Sequence, residues 1–190
     1  AFKARLDLWL YIHVPASVRQ GVWPVSVSLL AAAPWAAALV AHHALTVYDR
    51  FRQQTVIPPN RVDRVFRAAI DECRRRTALH VELPEGESFT LEYVADKSWS
   101  GYNWYKGKSQ SLIQINTDLP TYINRAVDLG CHEGYPGHHT YNALIEKNLV
   151  IGKGWLEFSL YPLFSAQSLI AEGSANYGID LAFPGEERIA

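Results

Sequence analysis

The sequence predicts a mainly α-helical fold with one small antiparallel β-hairpin. Three observations lead there. Apolar residues recur at helical spacing over 62–73, 122–132 and 166–182. Only two short stretches, 89–95 and 111–117, have the look of strands. Turn residues (Pro58-Pro59-Asn60, Pro84-Glu85-Gly86, Pro136-Gly137) separate these segments.

The 190 residues can bury a real core. With 48% apolar and 19% charged residues the chain is globular rather than disordered. A net charge of −1 gives no electrostatic case for nucleic acid. Cys73 and Cys131 make no disulfide framework, and both sit on helix-like apolar segments, so buried thiols are expected. The compartment stays open, cytoplasmic or at a bacterial cell envelope. A chain that opens on Ala1 and stops soon after Pro184-Gly185 reads as a fragment or a processed product.

Residues 1–48 form an apolar, Ala-rich segment distinct from 49–190. No Lys, Arg, Asp or Glu falls between Arg19 and Asp49. The stretch 22–41 is long enough to span a bilayer. Pro24, Pro34, Ser26 and Ser28 argue against it, and a buried helical hairpin is the expectation.

From residue 50 the pattern is regular. Asn60 is a candidate N-cap, with Asp63 in the first turn. Val62, Val65, Phe66, Ala69, Ile70 and Cys73 make the apolar stripe, while Arg64, Arg67, Asp71 and Arg74 face away. Arg74-Arg75-Arg76 reads as a solvated last turn. In the first strand Phe89, Leu91 and Tyr93 alternate with Thr90, Glu92 and Val94, and in the second Ile113 and Ile115 share a face. The aromatic loop between them, with Trp99, Tyr102 and Trp104, is either a binding edge or core padding. The last helix covers 166–182.

Three of the seven histidines lie within His132-Glu133-Gly134-Tyr135-Pro136-Gly137-His138-His139. A Glu beside a His, with more His soon after, is zinc-hydrolase chemistry. In H-E-x-x-H both ligands lie on one helix face, one turn apart. Here a straight helix would turn His138 about 120° from His132, and carry His139 roughly 10 Å along the axis. Neither could share an ion whose ligands sit about 2 Å away.

A broken helix changes this. Pro136 cannot donate its N–H, and Gly137 permits unusual angles, so the pair can be a two-residue bulge. Removing it on paper restores H-E-x-x-H, with His132 and His138 as ligands. His139 then lies in a second layer or faces substrate, with the swapped assignment as the alternative. Glu172 is the third ligand, because a carboxylate among Leu169, Ile170 and Ala171 is costly unless paired or metal-bound. Asn176, one turn on, is placed to orient a ligating His, and Tyr177 to donate to a developing oxyanion. His13, His42, His43 and His80 have no such partners and read as structural or surface residues.

The run HEGYPGHH, followed by LIAEGSANYGIDLAFPG, resembles the bacterial family known as domain of unknown function 885. Its members look like zincin-type metallopeptidases of the gluzincin kind. The resemblance covers roughly residues 50–190, with the SWSGYNWY loop and the SLIQINTDLP strand. It implies a zincin-like active-site helix with a Pro-Gly break beside the hairpin, and it points to His132, Glu133, His138 or His139, and Glu172.

The expectation is a one-zinc peptidase cutting short peptides, with Glu133 as general base. Trp99, Tyr102 and Trp104 line the cleft. The 111–117 edge, with Ile113 and Ile115, takes an extended peptide by strand addition. The alternatives are a zinc amidase or esterase acting on another small amide or ester, and a non-catalytic helical membrane or interaction module with a structural His-Glu cluster.

Overall fold

The computed structural model describes residues 16–188, and the chain divides into two units, Ala1–Gln54 and Thr55–Ala190. Residues 1–15, including His13, lie outside the described residues. In the first unit, α1 (Ala16–Gln53) is one continuous helix, which replaces the expected hairpin. No Gly, Asn or Asp occurs between residues 22 and 48 to close a turn, and the Ala-rich run has high helix propensity. Trp35, Leu39 and Leu45 on it are exposed rather than buried. No helix among the described residues is long and apolar enough to cross a membrane.

The second unit is mainly helical around a three-stranded sheet. Pro59–Arg61 forms a 3-10 turn that leads into α2 (Val62–Thr77). That turn absorbs Asn60, so Asn60 does not cap the helix. Phe66, Ile70 and Cys73 are fully buried along the predicted stripe.

The strands are β1 (Ser88–Val94), β2 (Gly101–Gly107) and β3 (Gln110–Asn116). Their order is β1-β3-β2, with β1 parallel and β2 antiparallel to β3. The hairpin expected between the first and last of these is therefore a parallel pair. The real hairpin joins β2 to β3, because the aromatic "loop" is itself a strand. Its two-residue turn is Lys108-Ser109, each with φ 54°. Such turns favour Asn-Gly, so this one left no signature in the sequence.

β3 is the central strand. Ile113 and Ile115 are 0% and 1% exposed and pack with Ile57, Phe66, Ala126 and Leu129. Each such side chain stabilises the core by roughly 1.5–3 kcal/mol relative to exposure. They are core residues and bind no substrate, and β3 has no free edge to offer a peptide.

After the sheet come α3 (Ile123–Leu129), a π-helical turn (Gly130–Gly134), α4 (His138–Ile145), a second π segment (Glu146–Ile151) and α5 (Ala166–Ala182). The Ser165 hydroxyl caps α5 by accepting from the Ser168 amide. A second core cluster lies under the π turn: Ile70, Cys73, Cys131, Tyr135, Ile179 and Ala182. Within it Cys73 and Cys131 form a disulfide, not the expected free thiols. Their Cα atoms are 5.5 Å apart because α2 packs directly beneath the π turn, a proximity between residues 58 apart in sequence that no local pattern reveals.

The arginine cluster closing α2 is not simply solvated. Arg75 and Arg76 pair with Glu72, and Arg76 also reaches Glu187 and the Phe183 ring, tying α2 to the far end of α5. Arg74 turns to Glu87, whose side chain is 2% exposed. Arg74 Nε donates to Glu87 Oε1 at 2.7 Å, while the Tyr135 hydroxyl and His139 Nε2 donate to Oε2, the latter at 2.9 Å. Burial lowers the His139 pKa and favours the neutral ring, so with Nε2 as donor its Nδ1 accepts from Ser111 Oγ at 2.8 Å. Burial pushes the Glu87 carboxyl up, but the Tyr135, Arg74 and His139 hydrogen bonds together outweigh it and hold the carboxyl below its ordinary value.

Removing this carboxylate leaves several buried donors unmatched. Glu87→Ala should cost about 3 kcal/mol in chemical denaturation, against less than about 1 kcal/mol for Asp63→Ala at the exposed Arg67 pair. The lowered pKa sets the pH dependence. Glu87's contribution is complete above its unfolded pKa of about 4.3 and is lost as pH falls through the lower folded value. The gap between native protein and Glu87→Ala should therefore narrow on acidification below about pH 4. A gap that stays constant would show that Glu87 is not held as a carboxylate.

Candidate metal centre

The helical path runs through α3 into the π turn and breaks at Pro136-Gly137. The Gly137 N–H donates to the Cys131 carbonyl at 2.9 Å, six residues back instead of the four of an α-helix. The two-residue excess inferred from the sequence is thus taken up in one wide turn. Gly137 is required there, because a Cβ would sit 1.8 Å from the His132 carbonyl oxygen. Gly137 then leads into α4, which starts at His138.

This break turns His132 and His138 toward one another, with ring centroids 4.8 Å apart and planes at 89°. Glu172, from the first half of α5, lies between them. His132 Nε2 is 3.3 Å from Glu172 Oε2, and His138 Nε2 is 3.3 Å from Oε1. Donor atoms of the three residues all lie within 4.8 Å of one another. Tetrahedral ligands at 2.0–2.2 Å from zinc stand about 3.3 Å apart, the spacing each histidine nitrogen already has to one Glu172 oxygen, and the three donors together would draw in from their 4.8 Å spread to hold one such ion. Two imidazoles and a carboxylate also leave a coordination position open, as in hydrolytic zinc sites. Burial, and next the charge of His132, push the His138 pKa down, which favours the neutral imidazole that a metal needs.

Glu172 has its expected position but not for the expected reason. Its side chain is 52% exposed, and Leu169 and Ile170 are exposed as well. No desolvation cost singles it out; its place opposite both histidines does. His139 is fully buried in the Glu87–Ser111 network, so it is neither the alternative ligand nor substrate-facing. Adjacent helical positions point about 100° apart, which sends His138 and His139 to different sides of α4.

Glu133, beside His132, is 5% exposed. Burial and then the charge of Glu172 raise its pKa to about 8, with Arg125 and the Asn103 backbone amide pulling it partly back. Asn103 Nδ2 also donates to the Glu133 carbonyl at 2.7 Å, joining β2 to the π turn. Gly101 makes room for the Glu133 side chain, since a Cβ there would lie 3.1 Å from Oε1.

His132, Glu133, His138 and Glu172 open onto a cavity of about 680 Å³. One wall is the whole of β2, and the other carries Ile145, Val150, Phe158 and Leu160. Tyr102 and Trp104 line this cavity; Trp99 does not, although its ring packs on Tyr102. Asn176 lies beside His132 in a second cavity, of about 400 Å³. Tyr177 is 68% exposed and lines neither cavity, so it is not placed to meet an oxyanion there. Its position next to Asn176 on α5 turns it away from Glu172. His42, His43 and His80 lie at the surface, as expected.

Several contributors escaped the sequence reading: Glu87 and Ser111, which fix His139, and Asn103 and Gly101, which place Glu133. Only Glu87 carried any signal, as an acid directly after the Pro84-Glu85-Gly86 turn.

The geometry predicts one zinc ion per chain. Replacing His132, His138 or Glu172 by Ala should weaken zinc binding by more than the 10–100-fold typical of outer-layer partners, measured by chelator competition. His139→Gln should lower thermal stability yet keep one zinc per chain by elemental analysis. Loss of zinc from His139→Gln equal to that from His138→Ala would overturn this ligand set.

Comparison with known proteins adds nothing to this geometry: no family model, no curated protein and no solved structure matches the chain.

Proposed function

We propose that the protein is a zinc-dependent hydrolase acting on short peptides. The observation that carries the reading is the meeting of His132, His138 and Glu172 at one point, with buried Glu133 alongside and a large cavity open to all four. The resemblance of HEGYPGHH and the later Glu172 block to zincin-type peptidases supports the same chemistry.

Zinc held by His132, His138 and Glu172 would supply the positive charge for activating water and polarising a carbonyl, and would favour ionised Glu133. Glu133 takes the proton of the attacking water and delivers it to the leaving nitrogen. Gly101 leaves room for that carboxylate, and the Asn103 amide favours its charged form. The substrate's main chain pairs with β2, not with β3 as the sequence suggested. Among the described residues no strand covers the outer edge of β2, and this strand forms the cavity wall. An extended peptide added there gains main-chain hydrogen bonds whatever its sequence.

Glu133→Gln keeps the shape and removes the base. It should retain one zinc per chain and lower kcat on a short peptide by at least about 100-fold. Parallel assays on matched amide and ester substrates identify the bond cleaved. Turnover that persists in Glu133→Gln at the native rate would remove Glu133 from the mechanism.

A further inference from the structure

The second cavity shares three walls with the first: Gly101, His132 and Glu133. The two therefore meet at the point where a scissile bond would lie. Their linings differ in kind. The larger carries β2 and several apolar side chains. The smaller is ringed mainly by polar groups, among them Ser100, Asn176, Arg125 and the carboxylate of Asp128. Arg125 on α3 and His132 on the π turn that follows it both line this cavity, so one continuous stretch of chain brings the guanidinium and a candidate metal ligand to the same space. Arg125 is half exposed, and its nearest approach to Asp128 is a long 3.9 Å. A ligand carboxylate can pair with the guanidinium at about 2.8 Å through two parallel hydrogen bonds.

We infer that the smaller cavity binds the free C-terminal carboxylate of the substrate through Arg125. The enzyme then removes residues from peptide C-termini. This rests on the hydrolase reading above and names its substrate class. The acyl part of the peptide lies along β2 in the larger cavity, and the terminal residue occupies the smaller one. Water adds its oxygen to the carbonyl carbon and the C–N bond breaks. The nitrogen leaves with the proton carried by Glu133, giving a shortened peptide acid and a free amino acid.

The test uses zinc-loaded protein and N-acetylated tripeptides ending in a free acid or in the matching amide. Binding is measured calorimetrically in the Glu133→Gln background, and turnover separately in the native protein. The acid should bind about tenfold or more tightly than the amide, as a charge-assisted hydrogen-bonded pair implies. Adding Arg125→Gln should abolish that preference. Equal binding of acid and amide, or a preference that survives Arg125→Gln, overturns the carboxylate site even if both peptides are cleaved. A preference for the acid that depends on Arg125, without turnover in the native protein, keeps the site and overturns the hydrolase reading instead.

Discussion

A buried carboxylate that has to be matched on every side, Glu87, is the constraint on which the His132–His138–Glu172 site depends. It takes hydrogen bonds from α2 through Arg74, from the chain break through Tyr135 and from α4 through His139. His139 carries the network on to β3 through Ser111. Four pieces of the molecule are thereby held at one point. An unmatched charge in such a place costs several kcal/mol, so these elements cannot shift independently. His138 is the neighbour of His139, and its direction is set by that anchor. The metal-facing side of α4 is fixed from behind by its buried side.

Glu87 and Glu133 show how the same side chain is driven to opposite states. Both are almost inaccessible to solvent. Glu87 meets three donors, one of them a guanidinium, and is held as the anion. Glu133 faces another carboxylate, Glu172, and meets little that favours its charge, so burial prevails and lifts its pKa to about 8. A structural acid is saturated with partners, whereas a base needs unspent capacity for a proton. That difference, more than sequence position, separates the brace from the proposed base.

How much of this the sequence revealed depended on how local each feature is. The α2 stripe of Phe66, Ile70 and Cys73, the limits of α5 and the Pro136-Gly137 break all follow from residues a few positions apart. The bulge argument worked because it is a statement about helix geometry, and the Gly137-to-Cys131 hydrogen bond is its physical form. Long-range features were hidden. The parallel pairing of β1 with β3, the Cys73–Cys131 bond and the Glu87 network join residues tens of positions apart. The Lys108-Ser109 turn was hidden for a different reason, since its residues do not advertise positive φ. Glu172 is the instructive case: the burial argument for it is not supported by its exposure, whereas the resemblance of the LIAEGSANYGIDLAFPG block pointed to the same residue. Its spacing on α5 brought it to the histidines.

The correction to the sheet also changes how substrate can be bound. A hairpin of β1 and β3 would have left the Ile113 face beside an open edge. With β3 in the centre, its main-chain groups are used on both sides and its isoleucines are needed by the core. The open edge moves to β2, the aromatic segment that looked like a loop. Alternation along β2 sends Gly101, Asn103 and Tyr105 to the face shared with Ile113, where Asn103 meets the π turn and Tyr105 bonds Glu146. Tyr102 and Trp104 take the other face, where their rings pack together and the Trp104 indole donates to Gln114. The aromatic residues therefore stiffen the outer side of the edge strand, while its inner side fixes the strand's distance from Glu133. A side chain at Gly101 would press on the Glu133 carboxylate, so the smallest residue stands where the edge strand passes it.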